Sequence, residues 1–149
     1  MATNLSFSFG ADDILDRIDA ETSRHAAFLR FPDGGSAYDA LRVHSNDRPT
    51  VEAFASDAFR TILSRFGEEG KYTKSSSSHV LSFYLPDYDN DLNSATKDEI
   101  SRYVVLSATA RWLMARSFGE YAKMVAQDCE SSLSRIIEML RTRKSPLYN

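Results

Sequence analysis

The side chains best suited to chemistry in this sequence are three histidines, one cysteine and a short acidic run. His25, His44 and His79 lie far apart in the chain, and none has a partner at the spacing of a zinc motif such as HxxxH, HExxH or CxxC. A lone histidine is more often a surface or core residue than a metal ligand. The histidines therefore predict no metal site.

The cysteine and the acidic run are weak candidates as well. Cys129 could act as a nucleophile, but it falls on the apolar stripe of a predicted helix, a position typical of a packed side chain. Asp87, Asp89 and Asp91 alternate like part of a calcium-binding loop, but the glycine and the closing glutamate of that loop are missing. The sequence also contains no glycine-rich phosphate-binding loop. We therefore predict a protein that is not an enzyme and that holds no metal and no cofactor.

Length and composition are those of one ordinary globular domain. The chain has 149 residues, 42% of them hydrophobic and 26% charged, and a domain of this size buries about 70% of its unfolded surface. The net charge of −3 argues against a protein that coats nucleic acid. No segment approaches the ~20 apolar residues of a membrane span, and the first residues lack a signal-peptide pattern. We expect a single helical domain over residues 1–149, in a reducing compartment and away from membranes.

Helical periodicity predicts a mainly α fold: a four-helix bundle with a short strand or β-hairpin inserted between helices two and three. Apolar residues recur every three or four positions through each predicted helix. Capping-box spacing at Thr96–Glu99 and at Ser117–Glu120 predicts where the third and fourth helices begin. The four helices are predicted at about residues 12–29, at 49–66, from Thr96 onward, and from Ser117–Glu120 to a basic end of Arg141, Arg143 and Lys144 before Pro146.

The remaining segments predict strands, loops and a tail. Residues 1–10 form an arm whose alternating Leu5, Phe7 and Phe9 indicate either a core strand or a hook onto a neighbour. Within the insertion at 67–93, the stretch 71–78 reads as a loop or hairpin tip, and His79–Leu85 is the best strand candidate. A strand with too few partners in its own chain pairs with one from another chain. The remaining parts are a loop at 31–48, an acidic turn at 87–91 and a basic tail at 141–149.

The order of these elements resembles that of a known group of proteins. The likeness is carried by DILDRI in the first helix, Ala37–Leu41 in the following loop, DAFRTILSRF, SSSHVLSFYLPDYDNDL, Trp112, Glu120–Ala122 and the ending LRTRKSP. In this layout the chain resembles small structural proteins of Bacteroides-type bacteriophages and prophages. These proteins are similar in organisation to the helical head–tail connectors of tailed phages.

The resemblance implies a function, partners and a location. Connectors form a ring below the portal protein, usually with its twelvefold symmetry, and offer a platform for the tail, while DNA passes through the channel without specific binding. The protein would then be made in the bacterial host cytoplasm and reside in the neck of the virion. By position, the subunit interface would comprise Ser78, Val80, Leu81, Phe83 and Leu85. The segment that docks on the portal would comprise Arg141, Arg143, Lys144, Pro146, Leu147 and Tyr148.

Other functions remain open at this point. Another tail-completion or tail-terminator protein would share the virion setting and the oligomerisation. A regulatory or small-ligand-binding helical domain of a host type would instead need a pocket with convergent polar groups, and the sequence shows none. An enzyme whose site is assembled from distant residues is the remaining class.

Overall fold

The computed structural model describes residues 2–67 and 70–143, with side chains described from Leu5 onward. Across this part of the chain the fold is mainly helical, as predicted, with four long helices and a small antiparallel sheet. The strands are β1 (Ala2–Gly10), β2 (Gly70–Lys74) and β3 (Ser78–Pro86). The helices are α1 (Ala11–Ala26), the short α2 (Tyr38–Leu41), α3 (Arg48–Phe66), α4 (Asn93–Ala115) and α5 (Gly119–Arg141). Single turns of 3-10 helix, Ser45–Asp47 and Asn90–Leu92, precede α3 and α4.

The sheet has the strand order β1–β3–β2, so β3 is its central strand. Both pairings are antiparallel, with Phe7 opposite Leu81 on one side and Tyr72 opposite Leu81 on the other. Because side chains alternate along a strand, one face of the sheet is apolar and buried. That face includes Leu5, Phe7, Phe9, Leu81, Phe83 and Leu85. Of the two predictions for the N-terminal arm, the core strand is therefore the one that the structure shows.

The helix α4 lies at the centre of the helical layer. Arg17 of α1 contacts Ser101, and Arg24 lies further along α1 in a cleft with Val105 and Leu106, so α1 runs parallel to α4. The helix α3 runs antiparallel to α4, because Asp47 and Asp57 form ion pairs with Arg116 and Arg111 at 3.1 and 2.7 Å. The helix α5 turns back along α4 after residue 118. Neighbours on several sides explain why α4 is apolar nearly all round its circumference.

The four-helix bundle itself is not confirmed, because the sheet occupies one side of the helical layer. Phe9 packs on Phe59 of α3 with ring centres 5.3 Å apart, and Phe66 meets Phe83 of β3 at 5.3 Å. The insertion between the second and third long helices is a complete hairpin of β2 and β3. A hairpin is one of the two predicted forms of this insertion, and β2 lies in the stretch predicted to be a loop or hairpin tip. Gly70 is needed there, because a Cβ at this position would collide with the Leu63 side chain.

The ends of the helices differ from the predictions in instructive ways. The helix α4 begins at Asn93, three residues before the predicted start, and Thr96 is buried rather than acting as an N-cap. Its hydroxyl pairs with that of Tyr88 at 2.9 Å. The predicted cap at Ser117 does not form either, because no side chain caps the first turn of α5.

Ser117 instead terminates α4. Its φ of 73° is left-handed, the Phe118 amide donates to the Leu113 carbonyl at 2.9 Å, and the Ser117 amide donates to the Met114 carbonyl at 3.2 Å. This pair of bonds is the Schellman motif, which satisfies the last carbonyls of a helix. Ser117 therefore sets the reversal between α4 and α5.

A second apolar cluster holds the loop between α1 and α3 against α4 and α5. The helix α1 ends at Ala26, three residues earlier than predicted, and the following loop contains α2. Leu41 of α2 is fully buried, and its carbonyl accepts a hydrogen bond of 2.7 Å from Trp112 Nε1. Phe31 and Phe118 pack in the same cluster at 5.7 Å.

Candidate interaction surfaces

The strand predicted to contact a neighbouring subunit is largely enclosed by its own chain. Leu81, Phe83 and Leu85 are at most 1% exposed and pack in the core. Ser78 and Val80 lie half-buried, on the opposite face of β3. Both edges of β3 are also paired, so this strand needs no partner from another chain. The sequence did not indicate that β1 and β2 both pair with β3, because the segments that form these two strands differ strongly from each other in composition.

A buried polar cluster joins α3, β2 and β3 and was not found from the sequence. The Tyr72 hydroxyl donates to Ser56 Oγ at 3.1 Å and lies 2.7 Å from His79 Nδ1. Because the Tyr72 hydroxyl directs its proton at Ser56, it can only accept a hydrogen bond from His79. His79 Nδ1 therefore carries the proton, and in the neutral ring Nε2 is unprotonated. Phe59 stacks on the His79 ring at 4.8 Å. Residues from three separate elements form the cluster, so no local spacing reveals it.

The environment of His79 strongly favours the uncharged ring. Its side chain is fully buried, and within the described part of the chain its Nε2 has no hydrogen-bond partner. Burial lowers the pKa of His79 to about 4, and the Lys74 charge lowers it further while Glu52 opposes the change. Lys74 and Glu52 form an ion pair beside the cluster. Because the ring has no exposed surface, the cluster does not present the His79 side chain to a ligand.

Cys129 is a packed residue in the structure, as its position on the stripe predicted. It is 8% exposed and belongs to the main core. Burial raises the pKa of its thiol to about 12, and the charges of Asp128 and Glu130 act in the same direction. A nucleophilic cysteine requires the opposite shift. The thiol therefore stays protonated near neutral pH.

The segment predicted to dock on the portal lies at the C-terminal end of α5 and is described only in part. Arg141 and Arg143 are exposed, and Arg141 lies over the Phe66 ring at 6.0 Å. The predicted residues Lys144, Pro146, Leu147 and Tyr148 lie outside the described residues. Beside Arg141 is an open cleft of about 660 Å³ between α3 and α5. Its lining consists of Arg65, Leu133, Ser134, Ile137, Glu138, Arg141 and Thr142.

Large apolar side chains are exposed at the opposite end of the helices. This apolar end consists of Phe28, Met114 and Met124, which are 78%, 58% and 63% exposed. The C-terminal ends of α1 and α4 and the N-terminal end of α5 meet there, because His25 Nδ1 lies 2.7 Å from the Tyr121 hydroxyl. Exposed apolar residues that occur singly are common, whereas a contiguous patch of them is typical of a surface for another protein.

A second cleft, of about 600 Å³, lies between α1, α4 and α5. Three arginines line it, but two of them already have partners: Arg17 contacts Ser101, and Arg24 pairs with Glu21 at 2.5 Å. Asp128 adds a further negative charge to the lining. A site for an anionic ligand needs hydrogen-bond donors that are not already paired, on side chains that are all positively charged. The mixed lining of this cleft does not meet that requirement.

The described residues show neither a metal-binding cluster nor a membrane span. Among residues 2–67 and 70–143, no three His, Cys, Asp or Glu side chains come close enough to hold a metal ion. None of the helices in this part of the chain combines the length and apolar character that a membrane crossing requires.

Comparison with protein-family models gives no match for this chain, and comparisons with curated proteins and with solved structures give none either.

Proposed function

We propose that this protein is a non-enzymatic structural protein of a tailed bacteriophage, a head–tail connector that forms a ring below the portal. Two kinds of observation support this role. The order of elements resembles that of small phage connector proteins, with the four long helices as the bundle of the subunit. The structural observation that carries the proposal is the apolar end, because a surface of this kind is buried when subunits assemble.

The two ends of the subunit suit different contacts. At one end, Phe28, Met114 and Met124 offer apolar area, which drives association as it leaves water. At the other end, the exposed Arg141 and Arg143 offer guanidinium groups, which pair with carboxylates through two parallel hydrogen bonds. On α5, Met124 of the apolar end and Arg141 of the basic end lie 17 residues apart, which is about 26 Å at 1.5 Å per residue. A subunit with two such ends can contact a neighbouring protein on each side.

The first test is the mass of the purified protein, measured by light scattering alone and with the portal protein of the same phage. A closed oligomer, or a monomer that assembles only on the portal, is the expected result. A stable monomer that ignores the portal would refute the connector role.

The apolar end is tested separately with matched variants. Phe28→Ser and Met124→Ser should each weaken assembly by about 1–2 kcal/mol, or about 5–30-fold in affinity, because each side chain loses buried area. Tyr84→Ser is the control, since Tyr84 is 59% exposed on the sheet and lies outside the apolar end. Equal loss of assembly in all three variants would contradict the assignment of this surface.

The basic end is tested by the salt dependence of portal binding. Arg141→Gln should weaken binding at low salt and reduce its sensitivity to salt, since exposed charge pairs are screened. Arg60→Gln is the control, because Arg60 is also exposed and also lies over an aromatic ring, that of Tyr72 at 5.3 Å. A portal affinity that Arg141→Gln leaves unchanged would remove this end from the docking surface.

A further inference from the structure

The register of the sheet determines which backbone groups of β1 face away from β3. In an antiparallel pair, opposite residues alternately exchange both of their N–H···O bonds and exchange none. The Ala11 amide donates to the Ser77 carbonyl at 2.9 Å, which extends the β1–β3 register by one pair. Odd-numbered residues of β1 therefore bond to β3. The even-numbered residues from Ala2 to Gly10 direct their N–H and C=O groups away from it.

The other side of the sheet provides an independent check on this alternation. The Ser75 amide donates to the Ser78 carbonyl at 2.9 Å, which extends the β2–β3 register by one pair. Even-numbered residues of β3 therefore bond to β2, while its odd-numbered residues bond to β1. A central strand bonds to its two neighbours through alternate residues. The pairing of β3 with β2 therefore agrees with the assignment of the odd-numbered residues of β1 to β3.

The outer edge of β1 is long, and the strand's own sequence lacks the usual protection, although Asp13 and Arg17 of α1 and Lys97 and Asp98 of α4 line a cleft beside its last residues. Its nine residues run without a bulge in their pairing with β3, and the segment ATNLSFSFG has neither a charged residue nor a proline. Natural edge strands are protected by charges, prolines, bulges or covering elements. Among the described residues, no backbone or side-chain hydrogen bond reaches the outward groups of Asn4, Ser6 or Ser8.

The opposite edge of the same sheet is protected. The strand β2 has five residues, and two of them are lysines. Lys71 is exposed, and Lys74 forms its ion pair with Glu52 of α3. Lysine on an edge strand opposes the addition of another strand. The contrast between the two edges singles out β1 as the open one.

We propose that β1 pairs with β1 of a second copy of this chain, antiparallel and across a twofold axis at Ser6. The sequence of the strand is self-complementary in this register. Ser6 faces Ser6 of the second copy, and Leu5 faces Phe7, so the apolar and polar faces of the two sheets continue into each other. The neutral edge brings no like charges together. The pairing satisfies about ten backbone hydrogen bonds and joins two three-stranded sheets into one of six strands.

This contact belongs to the free protein and does not depend on the connector role. A twofold contact closes on itself, whereas neighbours in a cyclic ring meet through two different surfaces. The dimer and the ring are therefore separate assemblies. If one of these two assemblies does not form, the proposal for the other is unaffected.

The test is the mass of the full-length protein by sedimentation equilibrium over a wide range of concentration. The wild type should change from monomer to dimer as concentration rises. Ser8→Pro removes one outward N–H and no bond to β3, so this variant should fold but remain a monomer. Ser8→Thr keeps the N–H and should dimerise like the wild type. A wild type that stays monomeric throughout, or a folded Ser8→Pro variant that dimerises normally, would overturn the proposal.

Hydrogen exchange in the wild-type protein tests the same contact without any substitution. The amides of Ser6 and Ser8 should exchange slowly in concentrated solution and at least tenfold faster on dilution. The amides of Leu5 and Phe7, which bond to β3, should be protected at every concentration. Outward amides whose exchange does not depend on concentration would contradict the pairing, and so would a larger closed oligomer with these amides unprotected.

Discussion

Replacing His79 by phenylalanine should remove the acid sensitivity that burial of this histidine gives to the fold. The ring is fully buried, stacked on Phe59 and beside the Tyr72 ring, and burial keeps it neutral in the folded protein near neutral pH. Phenylalanine has a similar shape and can stack in the same place, but it cannot take up a proton. The Tyr72 hydroxyl keeps its bond to Ser56 in this variant.

The size and sign of the effect follow from proton linkage. The pKa of His79 is about 4 in the folded chain and 6.5 in the unfolded one, so the unfolded chain binds the proton more tightly. The stabilising contribution is complete above pH 6.5 and decreases as the pH falls toward 4. Between about pH 7.5 and about pH 5, this difference in pKa removes about 2 kcal/mol from the free energy of unfolding.

The assay is urea unfolding at a series of pH values between these limits, with the wild type, His79→Phe and His44→Gln compared. His44 is exposed, so His44→Gln is the matched control for the loss of a histidine that is not buried. The difference in unfolding free energy between wild type and His79→Phe should change by about 2 kcal/mol across the range, in favour of the variant at low pH. Parallel curves for these two proteins would refute the reasoning, because a buried neutral histidine must destabilise the fold when it is protonated.

Three further substitutions test individual contacts, each by thermal or urea unfolding. Trp112→Phe should cost about 1–3 kcal/mol, because it leaves the buried Leu41 carbonyl without its donor; an unchanged stability would show that water replaces the indole. Ser117→Gly should stabilise the protein by about 0.5–1 kcal/mol, because glycine adopts the φ of 73° without strain; the matched exposed variant Ser131→Gly should instead destabilise α5 by a similar amount. Gly70→Ala should cost about 1–3 kcal/mol, since its Cβ collides with Leu63, whereas Gly35→Ala on the exposed loop should cost less.

The helices were predictable because their signals are local. Apolar residues recur along α3 and α5 at helical spacing, and the predicted boundaries of α3 lie within one residue of those observed. The starts of α4 and α5 were less predictable, since the Ser/Thr–Glu spacing occurs in both but neither cap forms. Thr96 is recruited by Tyr88, and Ser117 is held in the left-handed region by the Schellman bonds. A contact with Tyr88 thus overrides the capping signal at Thr96, and a local C-terminal motif overrides it at Ser117.

The pairing of the strands was not predictable from the sequence, for a different reason. Strand partners are set by tertiary contact, and β1 pairs with β3, from which it is separated in the sequence by the two long helices α1 and α3. A hairpin was one predicted form of the insertion, but β2 itself was not assigned as a strand, because only Tyr72 among its five residues is strongly apolar. Its inward face is completed by the contacts of Tyr72 with Ser56 and of Lys74 with Glu52, which no alternation pattern encodes. The His79 cluster was missed with it.

The pairing of the first strand with β3 also has a consequence for how the chain folds as it is made. Phe7 lies opposite Leu81, so about 70 residues must be synthesised before the two can meet. At roughly 5–20 residues per second, that interval is on the order of 4–15 seconds. Throughout it, the apolar face of β1 has no strand to complete it, while α1 and then α3 are synthesised. The nascent chain therefore passes through a stage in which Leu5, Phe7 and Phe9 must be sheltered by the helices or by a chaperone, and the emergence of the hairpin ends that stage.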